Sequence, residues 1–95
     1  MPDKSERKAA HVFVQGKVQG IGFRYWTVQL AYEFNITGWV RNCPDYSVEI
    51  FAEGAEAALS EFLNAVQYTH PYAFISGFTV HAARCEGLKS FQVRY

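Results

Sequence analysis

The chain has 95 residues, with nine basic and nine acidic side chains that give a formal net charge of zero at pH 7. A chain of this length forms one domain. Its 49% hydrophobic and 17% aromatic content predicts a densely packed globular core. The balanced charge argues against a broad nucleic-acid-binding face, which needs an excess of lysine and arginine. Any anion site must therefore be local.

The beginning of the chain is short, polar and charged, so residues 1–8 are predicted to be a flexible tail before a domain of residues 9–95. The sequence contains no signal peptide and no apolar run approaching ~18 residues. Cys43 and Cys85 have neither metal-ligand spacing nor the pattern of a disulfide framework. These observations predict a cytoplasmic protein with reduced thiols. Small size and balanced charge favour a monomer.

Hydrophobic periodicity predicts seven elements along the chain. They are a strand at His11–Val18, a helix at Phe23–Phe34, strands at Ile36–Asn42 and Tyr46–Glu53, a helix at Ala55–Val66, and strands at Phe74–Ala83 and Phe91–Tyr95. In the strand 46–53, alternation turns Val48 and Ile50 towards the core and places Glu49 and Glu53 on a solvent face. The hairpin before it contains Asp45 followed by Tyr46, where a glycine would adopt positive φ more easily. This predicts an unusual or strained turn.

The element order, β-α-β-β-α-β with one extra strand, predicts an α+β fold of the ferredoxin-like, split βαββαβ type. Two helices should cover one face of a mostly antiparallel sheet, with a short extra C-terminal strand. The first and third strands should be central, because each crossover skips one strand. This fold supports many activities and does not by itself indicate a function.

The segment Gly16–Arg24 (GKVQGIGFR) crowds three glycines between a strand and a helix, with an arginine directly after them. Glycine lets backbone N–H groups approach a ligand, and a helix start adds free N–H groups. Arginine fits phosphate or carboxylate oxygens. The spacing matches neither a Walker A loop nor a dinucleotide-binding loop. The segment therefore indicates either an oxyanion site or a simple glycine turn.

Two segments in the right order carry a family resemblance. Gly16–Arg24, and Gly38–Asn42 (GWVRN) followed by Ser47–Glu49, resemble the two signature segments of the acylphosphatases. The resemblance extends from about His11 to Tyr95. It implies a hydrolase that cleaves the carboxyl–phosphate bond of acyl phosphates and releases a carboxylate and inorganic phosphate.

The resemblance also implies the site residues. Arg24 matches the phosphate-binding arginine, and Asn42 matches the asparagine that holds the attacking water. Backbone amides of the loop Gln19–Phe23 match those that surround the phosphate, and Gly16 matches the glycine that opens the signature. The residues expected to bind phosphate are thus Gly16, Gln19, Gly20, Ile21, Gly22, Phe23 and Arg24. No metal and no other cofactor are expected, and inorganic phosphate should inhibit competitively.

Several alternatives remain open at this point. Without its context, Arg24 would be a surface salt-bridge partner and Asn42 a turn residue. The three histidines, His11, His70 and His81, are expected to be solvent-exposed rather than catalytic. One rival function is a non-catalytic anion- or RNA-binding module on the same fold, although the strand 47–53 is acidic and carries one aromatic residue. A second rival is a domain of a larger carbamoyl-transfer maturation protein. A chain that stops after its last strand favours the free-standing enzyme.

Overall fold

A computed structural model describes residues 6–95 of the chain. Two α-helices cover one face of a five-stranded sheet. In chain order the elements are β1 (Arg7–Lys17), α1 (Phe23–Glu33), β2 (Thr37–Asn42), β3 (Val48–Ala55), α2 (Glu56–Tyr68), β4 (Phe74–Ala83) and β5 (Phe91–Arg94). The predicted ferredoxin-like α+β fold with an extra C-terminal strand is confirmed. Within residues 6–95, no helix is both long and apolar enough to cross a membrane.

The strand order across the sheet is β4-β1-β3-β2-β5, so the first and third strands occupy the interior as predicted. Neighbouring strands are antiparallel except β2 and β5, which are parallel. The core lies between this sheet and the helices. Its fully buried aliphatic side chains include Val12, Val14, Val48 and Ile50 from the two central strands. Burying each such side chain contributes roughly 1.5–3 kcal/mol to stability.

Several element ends differ from the prediction. β1 begins at Arg7, because Arg7 and Lys8 pair with Ala55 and Gly54 of β3. The predicted tail of residues 1–8 was therefore too long, and residues 1–5 lie outside the described part of the chain. β3 continues past Gly54, and α2 continues to Tyr68. Backbone hydrogen bonds continue beyond the regular pattern of apolar side chains in these elements, so periodicity alone misplaces their ends.

The second face of the sheet is not the solvent face that alternation predicted for β3. Glu49 is 7% exposed and Glu53 is 0% exposed. Glu53 accepts hydrogen bonds from the backbone N–H groups of Glu86, Gly87 and Leu88 in the β4–β5 connection. This connection folds back over the end of β3, and nothing in the local pattern of β3 reveals it.

The β2–β3 turn is built without a glycine. Tyr46 adopts the left-handed conformation at φ 71° and donates its N–H to the Cys43 carbonyl at 3.0 Å. The Asp45 carboxylate accepts the backbone N–H of Ser47 at 3.0 Å and its hydroxyl at 2.6 Å. These hydrogen bonds from Ser47 lower the pKa of Asp45. The predicted strain is therefore located at Tyr46.

Candidate active site

The loop between β1 and α1 owes its shape to two glycines. Gly20 has φ +79° and Gly22 has φ +75°, a conformation that L side chains rarely adopt. A Cβ at either position would meet no atom within 4 Å, so the backbone conformation rather than crowding requires glycine. The Gly22 carbonyl accepts the N–H of Trp26 at 3.0 Å, and Gly22 caps α1.

The N-terminus of α1 is electropositive. Its first N–H groups have no acceptor within the helix, and the aligned peptide dipoles add a partial positive charge. The first turn carries no acidic side chain, and no side chain caps the helix. These N–H groups are therefore free to bind an anion.

A small cavity of about 170 Å³ lies at this helix N-terminus. Its lining brings together the two side chains that the sequence assigned to phosphate and to water. It is lined by Val18, Gln19, Gly20, Gly22, Phe23, Arg24, Tyr25 and Asn42. Val18 and Tyr25 were not predicted, although Val18 lies inside the signature segment and Tyr25 directly follows it.

Arg24 is held by an aromatic side chain rather than by a carboxylate. Its guanidinium carbon lies 5.1 Å from the centre of the Tyr95 ring, and the Tyr95 hydroxyl is 2.8 Å from that of Tyr25. Among residues 6–95, Arg24 forms no ion pair. Its charge therefore remains available to an anion. The partnership of Arg24 with Tyr95 was missed, because a contact between residues so far apart in the chain leaves no local sequence signal.

Asn42 ends β2, opposite Val48 of β3. Its Oδ1 atom is buried and accepts no hydrogen bond from residues 6–95. Leaving a buried acceptor without a donor costs about 1–3 kcal/mol, and such a group is prepared to accept a hydrogen bond from water or from a ligand. The amide can both donate and accept, which suits the orientation of a water molecule.

Two of the predicted phosphate-binding residues do not line the cavity. Gly16 pairs with Ile75 at a bulge between β1 and β4, and a Cβ there would lie 2.0 Å from the Phe74 carbonyl oxygen. The close approach of β4 therefore requires glycine at position 16. The Ile21 side chain packs against the hydrophobic core. The contact with β4 accounts for glycine at position 16, and the contact with the core accounts for isoleucine at position 21.

The expectation of three exposed histidines is confirmed only for His81. His70 is half-buried against Phe23 and Trp26, with ring centroids 5.5 and 4.7 Å away, and this burial lowers the pKa of His70. His11 is half-buried beside Glu49, on the sheet face away from the helices. None of the three lines the cavity. Residues 6–95 also contain no cluster of three or more His, Cys, Asp or Glu side chains that could hold a metal ion.

Glu49 connects a histidine and an arginine on that outer face. It lies 2.5 Å from the His11 Nε2 atom and accepts the Arg41 Nε–H at 2.6 Å. Burial alone would raise the pKa of Glu49. Hydrogen bonds and charges from His11 and Arg41 outweigh this effect and lower the pKa. Glu49 is therefore ionised at neutral pH as part of a three-residue network.

Comparisons with known proteins match nearly the whole chain. A model of the acylphosphatase family matches residues 10–93. An acylphosphatase from Treponema denticola is 46% identical over 91 residues, which cover 96% of this chain and 97% of that protein. The crystal structure of acylphosphatase from Bacillus subtilis superposes with a TM-score of 0.88 at 38% identity, covering 93% of this chain and 99% of that one. An acylphosphatase structure from Coxiella burnetii gives 0.90 at 32% identity, covering 99% and 100%.

The chain belongs to the acylphosphatase family, whose members hydrolyse acyl phosphates. The rival function of a non-catalytic anion- or RNA-binding module is accordingly not supported. The family resemblance predicted from the two signature segments is confirmed over nearly the full length of the chain.

Proposed function

We propose that this protein hydrolyses acyl phosphates by holding the phosphoryl group at the N-terminus of α1 and directing a water molecule at it from Asn42. One observation carries the proposal. Three features line the same small cavity: a helix N-terminus without a side-chain cap, an arginine without a carboxylate partner, and an asparagine with an unpaired buried oxygen.

Each group has a separate role in the proposed reaction. Backbone amides of the loop Gln19–Phe23 and the Arg24 guanidinium bind the non-bridging phosphoryl oxygens and stabilise the charge that spreads over them. Asn42 orients water in line with the bond to the leaving carboxylate.

Hydrolysis forms one bond to phosphorus and breaks another. The water oxygen forms a bond to phosphorus while the bond between phosphorus and the carboxyl oxygen breaks. One water proton passes to a phosphoryl oxygen, so that the products are a carboxylate and inorganic phosphate. No histidine lines the cavity, and the substrate phosphoryl group acts as the base. The carboxylate is a good leaving group and needs no general acid.

The proposal extends to the setting of the enzyme. The substrate is a small acyl phosphate, and inorganic phosphate is both product and competitive inhibitor. The proposed reaction needs no metal and no other cofactor. We place the protein in the cytoplasm as a monomer. Its zero net charge supports the further expectation that it has no nucleic-acid or membrane partner.

The experiment is a phosphate-release assay with benzoyl phosphate on wild type, Arg24→Ala and Arg24→Lys. Arg24→Ala should lower kcat/KM by roughly a hundredfold or more, because a charge-assisted contact of ~3 kcal/mol is lost. Arg24→Lys should not restore activity, since an ammonium lacks the planar pair of donors. Near-normal activity of a folded Arg24→Ala would show that the phosphate site has been assigned to the wrong side chain.

A further inference from the structure

The side chain of Gln19 connects the two halves of the candidate active site. Its Nε2 atom donates hydrogen bonds to the carbonyl oxygens of Cys43, at 3.1 Å, and Ser47, at 2.8 Å. Cys43 directly follows Asn42, and both carbonyls belong to the turn between β2 and β3. Gln19 itself lies in the loop before α1. One carboxamide thus spans from the loop of backbone amides to the segment that holds Asn42.

The orientation of this carboxamide is determined by its partners. Both N–H groups of Nε2 are used, one on each carbonyl. A flipped amide would place its oxygen against two carbonyl oxygens, which repel it. The same carbonyls also accept backbone N–H groups, Cys43 from Tyr46 and Ser47 from Cys43. Gln19 therefore attaches to a turn that is already ordered.

Few backbone hydrogen bonds hold the loop, although the side chains of Val18 and Ile21 pack in or against the core. The glycines at 20 and 22 have no atom near the position of a Cβ. The turn and loop backbone hydrogen bonds of residues 6–95 do not involve residues 18–21. A loop of this kind could shift relative to Asn42 by small rotations of its glycines. A displacement of about 1 Å between reacting groups can cost about a hundredfold in rate.

We propose that Gln19 is a positioning residue for hydrolysis, whose carboxamide sets the distance between the phosphate-binding amides and Asn42. This inference rests on the proposed function, in which Asn42 orients water and the loop binds phosphate. Gln19 acts through these groups, and its own side chain contacts neither substrate nor water.

The first test compares Gln19→Met with wild type and with a matched control, Gln29→Met. Methionine is similar in length but cannot donate the two hydrogen bonds. Gln29 is exposed on α1 and undergoes the same chemical change away from the site. We expect Gln19→Met to lower kcat about tenfold and to change the inhibition constant of inorganic phosphate less than about threefold. The control should match wild type.

A lowered stability with kcat preserved would reduce Gln19 to a structural role. A large loss of phosphate affinity with kcat preserved would make it a binding residue. Either result overturns the proposal.

A double-mutant cycle with Asn42→Ala separates this inference from the proposed function. If Gln19 acts through Asn42, replacing Gln19 should cost little further kcat in the Asn42→Ala background. Equal fold losses in both backgrounds would overturn the positioning role while leaving the role of Asn42 intact. An active Asn42→Ala enzyme would instead contradict the proposed function itself, and with it the target of Gln19.

Gln19→Glu provides a second variant if the methionine enzyme does not fold. An ionised carboxylate cannot donate to the two carbonyls, whereas a protonated carboxyl group supplies one O–H donor. Its kcat, taken as a ratio to wild type, should rise as the pH is lowered from about 7 towards 5. A ratio that does not change with pH contradicts the proposal.

Discussion

Replacing Tyr46 by glycine should stabilise the protein. Tyr46 is the turn residue with φ 71°, and its side chain is 75% exposed, so its removal sacrifices little packing. The left-handed conformation costs a residue with a Cβ roughly 1–2 kcal/mol. Glycine avoids that cost but loses about 0.5–1 kcal/mol through its greater freedom in the unfolded chain. The difference is a net gain of about 0.5–1 kcal/mol, provided that Ser47 keeps its hydrogen bonds to Asp45.

For a domain of this size, the gain corresponds to a rise in Tm of about 3–6 °C. Urea titration and thermal unfolding followed by circular dichroism would measure it. Tyr46→Ala is the matched control, because it removes the same ring but keeps the Cβ and its conformational cost. We expect Tyr46→Ala to be no more stable than wild type. A glycine variant that is no more stable than the alanine variant would show that the left-handed conformation at residue 46 does not destabilise the protein.

Two further predictions concern anions and pH. Inorganic phosphate or sulfate should compete with substrate, and EDTA should leave activity intact; loss of activity in EDTA that a divalent metal restores would contradict a metal-independent mechanism. The lowered pKa of Glu49 means that its stabilising contribution is present above the pKa of the unfolded chain and is lost as the pH falls through the lower folded value. The free energy of unfolding of wild type should therefore decline on acidification below about pH 5, and Glu49→Gln should show a shallower decline over the same range. If the free energy of unfolding had the same pH dependence in both proteins, the interactions of Glu49 with His11 and Arg41 would not contribute to stability.

The order of elements was predictable because each buries a face with a regular period. Apolar residues alternate in β1 and β3 and follow helical spacing in α2, so the sheet and its two covering helices follow from the sequence. The burial of Glu53 was not predictable from β3 itself. It depends on the β4–β5 connection, whose backbone N–H groups surround that carboxylate. The alternation of side chains along a strand shows which residues share a face of the sheet, but it does not show which other segment covers that face.

In the candidate site, too, some features could be predicted from the sequence and others depend on contacts between distant residues. Arg24 and Asn42 stand in the two signature segments, so the family resemblance implied that both belong to one site, and both line one cavity. The contact of Tyr95 with Arg24 and the bonds from Gln19 to the β2–β3 turn join residues far apart in the chain. Such contacts arise only when the sheet forms. Gly16 also stands in a signature segment but does not line the cavity. Its lack of a side chain allows β4 to pair closely with β1.

We propose a division of labour, in which Arg24 and the loop amides bind phosphate while Asn42 orients water. The most direct measurement is kcat together with the inhibition constant of inorganic phosphate for folded Asn42→Ala. We predict that kcat falls by roughly 10²–10³, comparable with the loss of one positioned polar group in other active sites. The inhibition constant should stay within about threefold of wild type, which corresponds to less than ~0.7 kcal/mol of binding free energy. A large loss of phosphate affinity with kcat preserved would make Asn42 a binding residue and contradict the account.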